Sequence, residues 1–225
     1  TWTAPETMDG REVTLDFENV PAFQIGEING WTNYDGDENL TMTFIQYYGN
    51  YWPYSNQKFA WMTWSPREAG CPTAVMWQPY SGEKCLIHFG NYGIDEDGRS
   101  NSDPDDDWFI SPEVKGGTDF SFMTLSNDAG SSIEVLTSST DNSPESFTNQ
   151  VTKVTYDVTG TWKEVKTTLP ENAKYVAIRT VLDNFGIMLD DIKYTEAKAP
   201  VLKGYNVYCD NEGVSLVLTP EAKAQ

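Results

Sequence analysis

Short segments in which apolar and polar residues alternate recur from residue 12 to residue 194, and helical periodicity is almost absent. They are EVTLDFE (12–18), LTMTFI (40–45), KFAWMTW (58–64), TAVMWQ (73–78), CLIHF (85–89), DWFIS (107–111), DFSFMTL (119–125), SIEVLTS (132–138), VTKVTYDV (151–158), TWKEVKTTL (161–169), KYVAIRTV (174–181) and IMLDDIKY (187–194). Turn-rich pieces such as NYDGDEN, SPREAGCP, SNDAGSS and TDNSPES separate them. Parallel strands need crossover helices, and nothing in the chain supplies them. The pattern therefore predicts an all-β, antiparallel β-sandwich, and 225 residues suffice to bury its core without staples. In DWFISP, alternation places Trp108 and Ile110 on one face and Phe109 on the other.

After Tyr194 the text changes. TEAKAPV reads as a linker and LKGYNVYCDNEGVSLVL as two strands around a turn, so residues 1–196 form the main domain and 197–225 a linker plus β-hairpin. A piece that short cannot bury a core alone. It is either the start of a second small β domain or an extra hairpin docked on the first; GYNVYCDNEG resembles the opening of a fibronectin type III or immunoglobulin-like domain.

Net charge is -19, from 34 acids against 15 bases. Such a surface repels phosphate backbones and disfavours nucleic acid as a partner. It also leaves buried carboxylates short of cationic side chains, which makes a divalent cation the next candidate. No apolar run is long enough to span a membrane. The chain begins without a basic or apolar leader, so the expectation is a signal peptide already removed. Cys71 and Cys85 could close a loop, leaving Cys209 free; three buried thiols fit equally well.

GIMLDDIKY poses the sharpest local question. Neighbours in a strand point to opposite faces, so one of Asp190 and Asp191 should point toward the buried side. In NYDGDENLT, Asp35, Asp37 and Glu38 surround Gly36, an oxygen-rich turn suited to a hard cation but without EF-hand spacing. GIDEDGRSNSDP offers Asp95 and Asp97 in a similar setting. The single histidine, His88, lies in the apolar strand CLIHF and reads as a satisfied core residue, leaving a Ser-His or Cys-His pair without a base. Paired-carboxylate chemistry lacks the Glu-x-Asp strand motif of the jelly-roll glucanases. Between Phe44 and Trp64 aromatics crowd together; Tyr47, Tyr51, Trp52 and Tyr54 fall in a Gly, Asn and Pro context that reads as loop, either exposing rings that stack on sugars or fill partner pockets, or folding onto the sandwich with its rings buried.

The order FE (Phe17, Glu18), GW-x-x-x-D-G-D (Gly30 to Asp37), DWFISP, IEVLTSST and TWKEVKTTLPENAKYVAIRTVLDNFGIMLDDIKYT, from about Leu15 to Thr195, resembles the cleaved-adhesin or choice-of-anchor J domains. These are best known from gingipain haemagglutinin-adhesin regions and secreted Bacteroidetes proteins. The resemblance implies a jelly-roll β-sandwich, similar to MAM and galactose-binding-like modules, with structural calcium and no catalysis. Matched residue by residue, it implies metal ligands at Glu18, Asp35, Asp37, Asp190 and Asp191, with Glu18 and one of the late aspartates clamping an ion between early and late strands. It implies a secreted or cell-surface module that binds a glycan or a host or matrix protein through loops at one end of the sandwich. The alternative is a carbohydrate-binding accessory domain of a larger secreted hydrolase or protease.

Overall fold

The computed structural model describes residues 10–41, 53–91, 97, 104–182 and 185–197, together with the backbone of 205–209 and 212–216. In chain order the strands are β1 (Glu12–Leu15), β2 (Thr32–Asp35), β3 (Met62–Trp64), β4 (Cys85–His88), β5 (Asp107–Ile110), β6 (Asp119–Ser126), β7 (Ser132–Ser138), β8 (Asn149–Thr155), β9 (Lys163–Thr168), β10 (Tyr175–Leu182), β11 (Ile187–Thr195), β12 (Tyr205–Cys209) and β13 (Glu212–Leu216). The first sheet runs β3-β4-β11-β6-β9, with β1 also pairing β11; the second runs β2-β5-β10-β7-β8. Both are antiparallel throughout and form the sandwich that the alternation implies, with the jelly-roll character that the resemblance implies. β12 and β13 pair only with each other.

Alternation explains the packing. Phe109, Ile133, Val135, Val176 and Ile178 of the second sheet face Leu86, Phe120, Phe122, Leu189, Ile192 and Tyr194 of the first. Trp31 seals this layer, stacked on Phe109 at 4.7 Å. Each such fully buried side chain stabilises the fold by about 1.5–3 kcal/mol before entropy is counted. Trp108, Ile110 and Ala177 line the opposite face of the second sheet with Phe147, as the reading of DWFISP expects.

The first sheet is also covered on its outer side. Phe59, Met62, Trp64, Trp77, Ile87, Phe89, Leu125 and Met188 form a second cluster there. Both faces of residues 58–64 are therefore buried: Trp61 enters the inner cluster while Phe59 and Trp64 enter the outer one. TAVMWQ is not a strand. Val75–Trp77 is a 3-10 turn in which only Trp77 is buried, because it serves to insert that one ring into the outer cluster. Conversely TNYD, read as part of a turn, is β2: polar side chains suit a strand whose only lateral partner is β5. LTMTFI lies outside the described residues beyond Thr41.

The aspartate pair of β11 is accommodated by a bulge. Pairing with β6 shifts register between Asp190 and Lys193, and Asp191 adopts φ 46. The inserted residue keeps both Leu189 and Ile192 in the inner core. Asp190 is fully buried, yet against the 80–84 turn and not between the sheets. Thus neither aspartate has to face the hydrophobic layer, contrary to strict alternation.

Candidate functional site

The acids singled out by sequence fall in two places. Asp35 ends β2 and lies opposite Asp107, the first residue of β5. Gly36 donates its N–H to the Asp106 carbonyl at 3.0 Å, and a Cβ there would strike that oxygen, so the turn lies flat on β5. This brings Asp37 over the strand end, where Oδ2 accepts from the Asp106 N–H and from Asn91 Nδ2, each at 2.9 Å. Asp37 Oδ1 accepts from the Asn39 N–H at 2.8 Å and Asp35 Oδ1 from the Glu38 N–H at 2.6 Å.

Asp35, Asp37 and Asp107 form the one set of three acidic, His or Cys side chains among the described residues whose ligand atoms lie within 4.8 Å of one another. Asp107 is the member that sequence reasoning missed. Its Oδ2 meets His88 Nε2 at 2.8 Å across the sandwich, and its backbone N–H donates to Thr180 Oγ1. Its Oδ1 is buried and has no hydrogen-bond partner among the described residues. The only signal in the sequence was His88 itself: a histidine in an apolar strand needs a buried acceptor, without indicating which residue supplies it.

Burial pushes the Asp107 carboxyl up to about 6; His88 opposes this, while Asp37 and Asp35 add to it. Burial likewise raises Asp35. None of the ion pairs between described residues reaches Asp35 or Asp37, and Arg179 is spent on Asp106 at 2.6 Å and on the Trp108 ring.

Glu18, Asp190 and Asp191 converge instead on the 80–84 turn. Glu18 Oε1 accepts the N–H groups of Glu83 and Lys84 at 2.9 and 2.8 Å. Asp190 accepts from the Ser81 N–H at 3.0 Å and the Asp191 N–H at 2.8 Å, while Ser81 Oγ donates to Asp191. Lys84 Nζ is committed to the carbonyls of Glu18 and Val20, leaving the carboxylates without an ammonium partner among the described residues. Burial raises Asp190 to about 7. The early and late strands thus bring these acids to one turn, which backbone amides hold.

The linkage sign is fixed by these shifts. A carboxyl raised above its ordinary value binds its proton more tightly in the folded state, so metal-free stability declines as pH rises from about 4 to about 7. Melting temperatures in chelator at pH 5, 6 and 7.5 should fall in that order, and a combined Asp107→Asn and Asp190→Asn variant should flatten the decline. A rise with pH would contradict it.

Of the predicted ligand-binding aromatics, Tyr47, Tyr51 and Trp52 lie outside the described residues. Tyr54 is half-buried and packs edge-on against Phe59, with ring centroids 6.4 Å apart, as part of the outer cluster rather than a free platform. Asp97 is exposed; Asp95 lies outside the described residues. Cys71 and Cys85 are free thiols. No helix among the described residues is long and apolar enough to cross a membrane.

The fold recurs in solved structures. The K1 cleaved adhesin domain of Lys-gingipain from Porphyromonas gingivalis W83 is 21% identical, with TM-score 0.59 over 84% of this chain and 99% of that one. The K3 domain of the same protein is 24% identical, with TM-score 0.54 over 82% and 98%. No curated protein sequence matches the chain. The Cleaved Adhesin Domain family model matches residues 70–194, more than half of the chain. That span holds β4 to β10 and nearly all of β11, including Asp107 and the aspartate pair, and the chain belongs to the cleaved adhesin domain family.

Proposed function

We propose that this is a calcium-stabilised, non-catalytic binding module of a secreted or cell-surface protein, recognising a glycan or a host or matrix protein. The orphaned Oδ1 of Asp107 carries the calcium reading: a buried carboxylate oxygen beside Asp35 and Asp37 is costly unless a cation or proton completes it. All donors in the set are oxygens, which suits calcium. Asp35, Asp37 and Asp107 would hold the ion, whose charge would offset theirs. The Glu18, Asp190 and Asp191 group is a second candidate, favoured by its lack of an ammonium partner.

Absence of catalysis is supported by the sole histidine, which is buried against Asp107 and far from acting as a base for an exposed nucleophile. Membership of an adhesin family points the same way. A carbohydrate-binding accessory role within a larger hydrolase or protease is the variant of this reading that the glycan arm would favour. The test pairs a glycan array and a matrix-protein panel with assays of polysaccharide and peptide hydrolysis. Binding without turnover is expected; turnover abolished by one Asp or Glu substitution would overturn it.

A further inference from the structure

We propose that the outer face of the first sheet carries a groove for an uncharged, polyhydroxylated chain, a segment of neutral polysaccharide. The inference rests on the glycan arm of the proposed function and gives it a place. The aromatic cluster covers the β3, β4 and upper β11 part of that face and the Leu125 end of β6. Beyond the bulge, a groove of about 520 Å³ crosses β1, β11, β6 and β9. That volume lies within the range of small-molecule sites, about 300–1,000 Å³.

Register fixes what the groove presents. Thr14 pairs with Lys193, Lys193 with Ser121 and Ser121 with Lys166, so these four stand in one row across the strands. At about 4.8 Å per strand the row is roughly 14 Å long. The bulge decides the aim of Lys193: it restores Ile192 and Tyr194 to the core and turns the lysine outward. The side chains of Thr14, Ser121 and Lys193 make no hydrogen bond with any other described residue, which leaves their donors and acceptors to a ligand. Lys166 is braced at 2.8 Å by Asp119, which Thr168 also holds.

The chemistry selects the ligand class. Lys166 and Lys193 are balanced by Glu12 and Asp119, so the groove is neutral in a chain of net charge -19. An anion would face the field of the whole protein, and a cation would meet both lysines. A protein partner would favour an apolar, aromatic centre, whereas the row across this groove is Thr14, Lys193, Ser121 and Lys166, and the Val13 and Tyr194 that also line it are packed into the core. Hydroxyls interspersed with opposite charges match a ligand rich in hydroxyls of its own. Four residues before Lys166 on the same face stands Trp162, about 13 Å along the strand, with Tyr80 packed edge-on against it at 5.9 Å. Tyr80 is 49% exposed, so a chain longer than the groove meets a ring on which a sugar face can stack.

The experiment is calorimetry and affinity electrophoresis of the full chain against neutral galactans, xylans and glucans. Wild type should bind at least one. Ser121→Trp, which fills the floor, should abolish binding, and Thr14→Ala with Lys193→Ala should weaken it at least tenfold. The second variant alters exposed side chains only and keeps the test valid if the first misfolds. Tyr80→Ala should weaken long chains more than short ones. Unchanged binding in both groove variants, with melting temperatures preserved, would overturn the groove while leaving the glycan reading intact. Wild type that binds matrix protein but no neutral polysaccharide would overturn both the groove and the glycan arm.

Discussion

Calcium in excess should raise the midpoint of thermal unfolding by about 5–11 °C over the same protein in EDTA. A ligand held at a hundred times its dissociation constant stabilises the folded state by about 2.7 kcal/mol. A domain of this size gains roughly 2–4 °C per kcal/mol. Asp107→Asn should remove most of the shift, because it takes the charge from the one carboxylate whose free oxygen is buried beside Asp35 and Asp37. Asp191→Asn should leave it largely intact. The reverse pattern would place the ion at the 80–84 turn, and no shift in wild type would mean that protons and amides alone satisfy both acid groups. The shift should shrink toward pH 5, where a proton competes with the ion for Asp107.

Gly82→Ala should cost about 2–4 kcal/mol, read as a fall in denaturation midpoint with unchanged slope. Gly82 sits at φ 61, where an L side chain is strained, and a Cβ there would overlap the Glu18 carboxylate. Glu18 can swing aside only by releasing the amides of Glu83 and Lys84, and charge-assisted bonds of this kind contribute about 1.5–3 kcal/mol. The two costs separate in a double-mutant cycle. In a Glu18→Ala background the carboxylate is gone and Gly82→Ala should cost only the backbone part. Additive losses would show that the turn does not lean on Glu18.

Much of this was readable beforehand. Alternation marked DFSFMTL, SIEVLTS and KYVAIRTV as strands, and in DWFISP it set Phe109 apart from Trp108 and Ile110, because side chains two residues apart share a face. It failed at TNYD, where the lateral partner is a single strand and polar residues suffice, and at TAVMWQ, whose apolar run serves one buried ring. The crowded aromatics after Phe44 were ambiguous for a physical reason: Trp61 and Trp64 are both buried, on opposite sides of one strand. Glu18 and the late aspartates could be brought together from topology. Asp107 could not, since its significance depends on His88 reaching it from the other sheet.

The pairing of β1 with β11 has a mechanical consequence. Glu12 lies opposite Thr195, so β1 starts where β11 ends. Arg11 and Glu196 clasp that end through a two-pronged ion pair, and the Glu196 N–H donates to the Arg11 carbonyl. Tension drawn through residues 11 and 196 would load the ladder at its tip and part it rung by rung, as a zipper opens, rather than shearing every rung together. A module gripped at both ends in this way would yield early under pull, with the clasp as its first rung.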